Sequence, residues 1–126
     1  MLWPAEGTLT SLFGTRERAM GGGSAEFHAG IDICVPTGTP VRAAQGGLIV
    51  FAGYHGAYGK VVKVDHLNGL STLYAHNARL LVHAGQMVRG AQVIALSGST
   101  GRASGPHLHF EVHQDAWAVD PLEYLH

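Results

Sequence analysis

At 126 residues the chain has the length of one domain, 1–126, and can bury roughly two thirds of its unfolded surface without disulfide or metal staples. Its 8 basic and 9 acidic residues give a formal charge of -1 with no basic run, which argues against a phosphate-tracking surface and against nucleic acid as a partner. The single cysteine excludes an internal disulfide, and no segment reaches the roughly eighteen apolar residues of a membrane span.

Two residue types are in excess, with 18 glycines and 9 histidines. The glycines sit among Val, Ile, Leu and Tyr, so they read as turns between short strands and not as a flexible linker. Histidine enrichment fits either surface polarity or metal ligation and proton transfer, and position must decide between them.

The opening MLWPAEGTLT lacks the positive region and apolar stretch of a signal peptide, so work outside the cytoplasm would need an export or anchoring signal beyond these residues. GTRERAMGGGSAEFHAG (14–30) carries charge and a glycine triplet without alternation, and is expected to be a mobile loop bordering His28. In FHAGIDICVP, Asp32 follows His28 by four residues. Gly30, the Ile31/Ile33/Val35 alternation and Pro36 indicate a loop entering a strand, where Gly30 lets the chain fold back so that the pair converges. Alone, this pair equally suits a surface ion pair. Cys34 is expected to be a small core residue.

GLIVFAG (47–53), KVVKVDH (60–66), LSTLYAH (70–76), QVIALSG (92–98) and HLHFEVH (107–113) are short, β-branched or aromatic, and bounded by Gly, Asn or Ser. They predict an all-β, mostly antiparallel fold. LNG (67–69) suits a tight hairpin between the second and third of these, since Asn-Gly tolerates positive φ. Strict alternation in LSTLYAH sets Leu73 and Ala75 against Thr72, Tyr74 and His76. VHAGQMVRGAQVIALSG (82–98) has the glycine-punctuated turns of biotinyl and lipoyl carrier domains, but those need a lysine on an exposed hairpin, and Lys60 and Lys63 alternate within a strand. Helix is confined to a short turn near Pro121 to Tyr124.

The HxH of His107 and His109 is the strongest local signal. In a strand His107, His109 and Glu111 line one face while Leu108, Phe110 and Val112 line the other. Two imidazoles two residue rises apart can serve one metal, or one metal and its reacting water. The preceding SGSTGRASGP makes a loop that brings this strand start to an open edge. Glu111 is either a partner for a ligating imidazole or a solvated side chain, and the solvated reading is preferred. His55, His66, His83, His113 and His126 read as ordinary polar positions.

Taken together, WPAEGTLTSLFGTR, FHAGIDICVPTGTPVRAAQGGLIVFAG, YGKVVKVDHLNGLSTLYAH, GQMVRGAQVIALSGSTGRASGPHLHFEV and VDPLEYL closely resemble the lysostaphin-type, or LytM-type, zinc metallopeptidase domain from Trp3 to Leu125. The resemblance implies an antiparallel β groove with Zn2+ at its floor and hydrolysis of peptide bonds in peptidoglycan stems or cross-bridges. His28, Asp32 and His109 would be the metal ligands, and His76 and His107 the catalytic pair. It also implies an extracytoplasmic location and a monomer that meets peptidoglycan peptides, and in some settings other cell-wall hydrolases, without membrane contact by this segment. Two other readings stay open: a non-hydrolytic or autoinhibited module that activates other hydrolases, and a metal-independent structural or carbohydrate-binding β domain.

Overall fold

The computed structural model describes residues 1–16 and 26–126. The strands in chain order are β1 (Thr8–Ser11), β2 (Gly14–Arg16), β3 (Glu26–His28), β4 (Ile31–Cys34), β5 (Pro40–Arg42), β6 (Gly47–Tyr54), β7 (Lys60–Asp65), β8 (Leu70–Leu80), β9 (Met87–Val88), β10 (Val93–Ser97), β11 (Leu108–Gln114) and β12 (Trp117–Val119). Helix among the described residues is limited to two 3-10 turns, Gly56–Tyr58 and Pro121–Glu123, so no described helix is long and apolar enough to cross a membrane.

The fold is all-β. Ten strands form one antiparallel sheet with the central order β1-β4-β11-β8-β7-β6-β9, while β5 and β10 join through β8 and β12 flanks β11. The eleven-residue β8 is the axle: Leu70 to Ala75 pairs with β11, and Asn77 to Leu80 pairs with β10. β2 and β3 pair as a separate ribbon, with Gly14 opposite His28. Strands therefore occupy Gly14–Arg16 and Glu26–His28 within the segment expected to be a mobile loop; the residues between them, 17–25, lie outside the described residues.

Alternation explains the two faces of the large sheet. Ile31, Ile33, Val62, Val64, Tyr74, Leu108, Phe110 and Val112 point to one side and share the main core with Val41, Ile49 and Ile94. The Tyr74 and Phe110 rings meet at 5.3 Å and tilt by 54°. Truncating Phe110, which is wholly buried, to alanine would cost about 3–5 kcal/mol in lost transfer and cavity terms. The opposite face carries a smaller cluster of Val61, Leu73 and Ala75, against which Tyr58 packs. That outer face also carries the polar residues of β11.

Cys34 departs from expectation. Ile31 and Ile33 take the inward positions of β4, which leaves Asp32 and Cys34 facing outward, and the thiol is exposed.

Candidate metal centre

His28 ends β3, Asp32 lies in β4 and His109 lies in β11. β4 runs antiparallel to β11 with Asp32 directly opposite His109. Gly30 makes the approach of His28 possible: a Cβ there would stand 2.3 Å from the Phe110 carbonyl oxygen and 2.8 Å from Glu111 Cγ. Only a residue without a side chain lets the β3–β4 link cross β11 so closely.

The result is a compact donor set. One ligand atom from each of His28, Asp32 and His109 lies within 4.8 Å of the others. Asp32 Oδ1 is 2.9 Å from His109 Nδ1, and its Oδ2 is 3.4 Å from His28 Nε2. His107 Nε2 approaches the same carboxylate at 3.6 Å. His76 completes the group, its ring centroid 4.8 Å from that of His107 and 6.0 Å from that of His109.

His76 reaches this place by a route that strict alternation misses. Lys60 pairs with Asn77 and Val62 with Tyr74, so Ala75 and His76 together stand opposite Val61. This β-bulge, with His76 at a φ of 66°, turns the imidazole away from the side of Thr72 and Tyr74 and onto the outer face. A non-glycine residue in the left-handed region is strained, and such strain concentrates at functional sites.

Each ring is anchored through one nitrogen. Nδ1 of His28 donates to the Leu12 carbonyl (2.9 Å), Nδ1 of His76 to that of Thr100 (2.8 Å), and Nδ1 of His107 to that of Gly105 (2.9 Å). A carbonyl only accepts, so these contacts fix the proton on Nδ1 and leave each Nε2 as a lone pair. His109 is reversed: its Nε2 donates to Glu111 Oε2 at 2.7 Å, and its Nδ1 faces Asp32.

Charge follows from these contacts. Burial opposes charge on Asp32, but the hydrogen bond from His109 and the neighbouring His28 and His107 hold its carboxyl below the ordinary value. Burial likewise opposes charge on His109, yet Asp32 and Glu111 on its two sides raise it to about 9. His76 moves the other way: burial favours its neutral form and outweighs the Thr100 carbonyl, which favours the charged one. Two imidazole nitrogens and one carboxylate fit a divalent cation of the zinc type, with the far nitrogen of His28 held by the Leu12 carbonyl and that of His109 by Glu111; such a cation would take the place of the His109 Nδ1 proton.

The donors lie in a cleft of about 730 Å³, large enough for several residues of a peptide. One wall is the loop 100–104, packed on the 56–59 turn through a pair of glycines: Gly59 and Gly101 both have positive φ, and a Cβ on Gly101 would lie 2.3 Å from Gly59 N. Tyr58 and Arg102, the neighbours of these glycines, both line the cleft.

All five residues singled out from the sequence come together here. Glu111 corrects the expectation of a solvated side chain: it is 2% exposed and accepts hydrogen bonds from Tyr58 Oη, His109 Nε2 and His113 Nε2. Tyr58 lines the cleft and was missed, since an aromatic in a YHGAYG turn carries no signal of the carboxylate it meets 53 residues later. His55, His66, His83 and His126 do not line this cleft.

The sequence matches Peptidase family M23 over residues 26–121. The chain belongs to that family. It is 48% identical over 96 residues to a DD-carboxypeptidase/endopeptidase, Mpg, of Neisseria meningitidis, a match that covers 76% of this chain and 22% of that protein. Among solved structures, a zinc containing peptidase from Vibrio cholerae superposes with a TM-score of 0.87 at 35% identity, covering 94% of this chain and 37% of that one. The catalytic domain of the antimicrobial peptidase lysostaphin from Staphylococcus simulans gives a TM-score of 0.81 at 31% identity, with 93% and 90% of the two chains covered. These matches agree with the lysostaphin-type resemblance and the all-β fold. This M23 chain spans less than half the length of the curated relatives with which it was compared.

Proposed function

We propose that residues 1–126 act as a zinc-dependent endopeptidase domain that cleaves peptide bonds in the stem peptides or cross-bridges of peptidoglycan, outside the cytoplasm. The observation that carries this reading is the convergence of five side chains on one cleft floor, with His28, His76 and His107 each anchored through Nδ1 on a backbone carbonyl. Mpg and the Vibrio and lysostaphin structures support it by their peptidase descriptions.

His28 Nε2, an oxygen of Asp32 and His109 Nδ1 would hold the metal. Zinc bound there polarises a carbonyl and lowers the pKa of a water to about 7. His76 and His107 handle the protons. Both present an Nε2 lone pair toward the cleft while Nδ1–H stays on a backbone carbonyl, so one takes the proton of the attacking water and the other, once protonated, donates to the departing amine. The bulge and the Thr100 carbonyl hold His76 still, which lowers the cost of aligning it. Arg102 lines the cleft, which favours a peptide bearing a free carboxylate near the scissile bond.

The test is mass spectrometry of fragments released from purified peptidoglycan by zinc-replete protein, beside a chelated control. Chelator-sensitive peptide fragments support the reading, and their masses name the bond. No release from intact sacculi or from isolated cross-linked peptides would replace it with a module that activates other hydrolases.

A further inference from the structure

Glu111 lies behind the cluster already described: it bonds His109 but is buried and does not itself line the cleft. It sits on β11 two residues past His109, 2% exposed, directly opposite Leu73. The backbone at Gly30 closes over its stem, so a side chain at position 30 would collide with Glu111 Cγ. A carboxylate in such a place is costly unless hydrogen bonds compensate it.

Three bonds do so. Oε2 accepts from His109 Nε2 and from Tyr58 Oη, both at 2.7 Å, and Oε1 accepts from His113 Nε2 at 2.6 Å. The Tyr58 ring also stacks on His109, at 5.9 Å and 27°. Tyr58 therefore turns its hydroxyl inward, away from any substrate, and clamps the carboxylate that in turn holds His109. An apolar residue would pack on this face at less cost, so stability alone does not account for the anion.

We propose that Glu111 is a positioning residue that acts through His109: clamped by Tyr58 and His113, it keeps the proton on Nε2, fixes the ring angle and presents Nδ1 as the metal-binding atom. This rests on the zinc reading of the cluster. Glu111→Gln keeps the shape and one accepting oxygen but removes the charge that makes His109 a basic ligand.

The experiment compares the whole chain with its Glu111→Gln variant, measuring zinc affinity by competition with a chromophoric chelator and the visible absorption of the cobalt-loaded protein. Cobalt absorption reports ligand geometry, which a merely structural role would not move. The expected result is a 10- to 100-fold loss of zinc affinity with a shifted cobalt spectrum. If the variant fails to fold, nitrogen-15 NMR of the zinc-loaded wild type decides instead, where His109 protonated on Nε2 and bare on Nδ1 is expected. Unchanged affinity and spectrum in a folded variant, or the opposite tautomer in the wild type, overturns the proposal while leaving the metal cluster standing. A wild type that binds no zinc overturns both.

Discussion

His76 and His107 meet with ring centroids 4.8 Å apart because β8 carries one residue more than β7 at this point, Ala75 and His76 together facing Val61. Asn77 staples the bulge, its Nδ2 donating to the carbonyls of Lys60 (3.0 Å) and Tyr74 (2.9 Å). Thr100 adds a second staple, bonding the Asn77 carbonyl at 2.6 Å and the Lys60 amide at 3.0 Å.

The left-handed φ of His76 predicts a trade between stability and activity. Glycine adopts that conformation freely and alanine does not, so His76→Gly should be more stable than His76→Ala by about 1 kcal/mol. Both should lose turnover if the imidazole moves protons. Urea unfolding and peptide hydrolysis check the two halves, and equal stability of the variants would remove strain as the reason for this geometry.

The same bulge marks where sequence reading stops. Period-two alternation identified the long strands and placed His107 and His109 on one face, because those features are local. An inserted residue has no local signature, so alternation put His76 beside Tyr74 when it belongs beside Ala75. Glu111 looked solvated for a related reason: Tyr58 comes from a distant turn, and Gly30 covers the stem from another strand. The outward thiol of Cys34 follows from which residues of IDIC face the core, and Ile31 and Ile33 take those places.

Metal removal should be visible in stability. A ligand that binds only the folded state stabilises it by about 2.7 kcal/mol at 100 times its dissociation constant. Zinc at that level should raise the melting temperature of the wild type, and chelator should reverse the rise. In Asp32→Ala, which lacks the carboxylate between His28 and His109, the same zinc concentration should give little or no shift. An undiminished shift in this variant would remove Asp32 from the ligand set.

Arg102 offers a test of substrate class. Its backbone amide donates to the Ala57 carbonyl at 2.8 Å, which fixes the loop while the exposed side chain borders the cleft. An exposed charge pair is worth little, so Arg102→Ala should lower kcat/KM roughly five-fold for a peptide with a free carboxylate, mainly through KM. The amidated form of the same peptide should be cleaved equally by both proteins. Equal losses on the two peptides would show that Arg102 shapes the loop without reading charge.

A last prediction concerns a polar chain inside the core, remote from the cleft. The Ala44 amide donates to Tyr74 Oη (2.9 Å), Tyr74 to Thr72 Oγ1 (2.6 Å), Thr72 to His66 Nε2 (2.9 Å), and His66 Nδ1 to the Gly46 carbonyl (2.8 Å). The Gly46 carbonyl can only accept, so Nδ1 carries the proton of the neutral ring, Thr72 donates to the bare Nε2, and Tyr74 in turn donates to Thr72. A proton on His66 Nε2 takes away the acceptor of the Thr72 hydroxyl, so one hydroxyl hydrogen of this chain, on Thr72 or on Tyr74, loses its partner within it. Burial, above all, holds His66 below its ordinary value. The unfolded chain, with an ordinary histidine near 6.5, takes up this proton first, so stability is fully present above about pH 6.5 and is lost as pH falls through the folded value. His66→Gln removes the titrating group while the other histidines remain. Denaturant unfolding at pH 7.5 and 5.5 should show a steeper loss for the wild type than for the variant, and parallel losses would mean that His66 does not couple the core to pH.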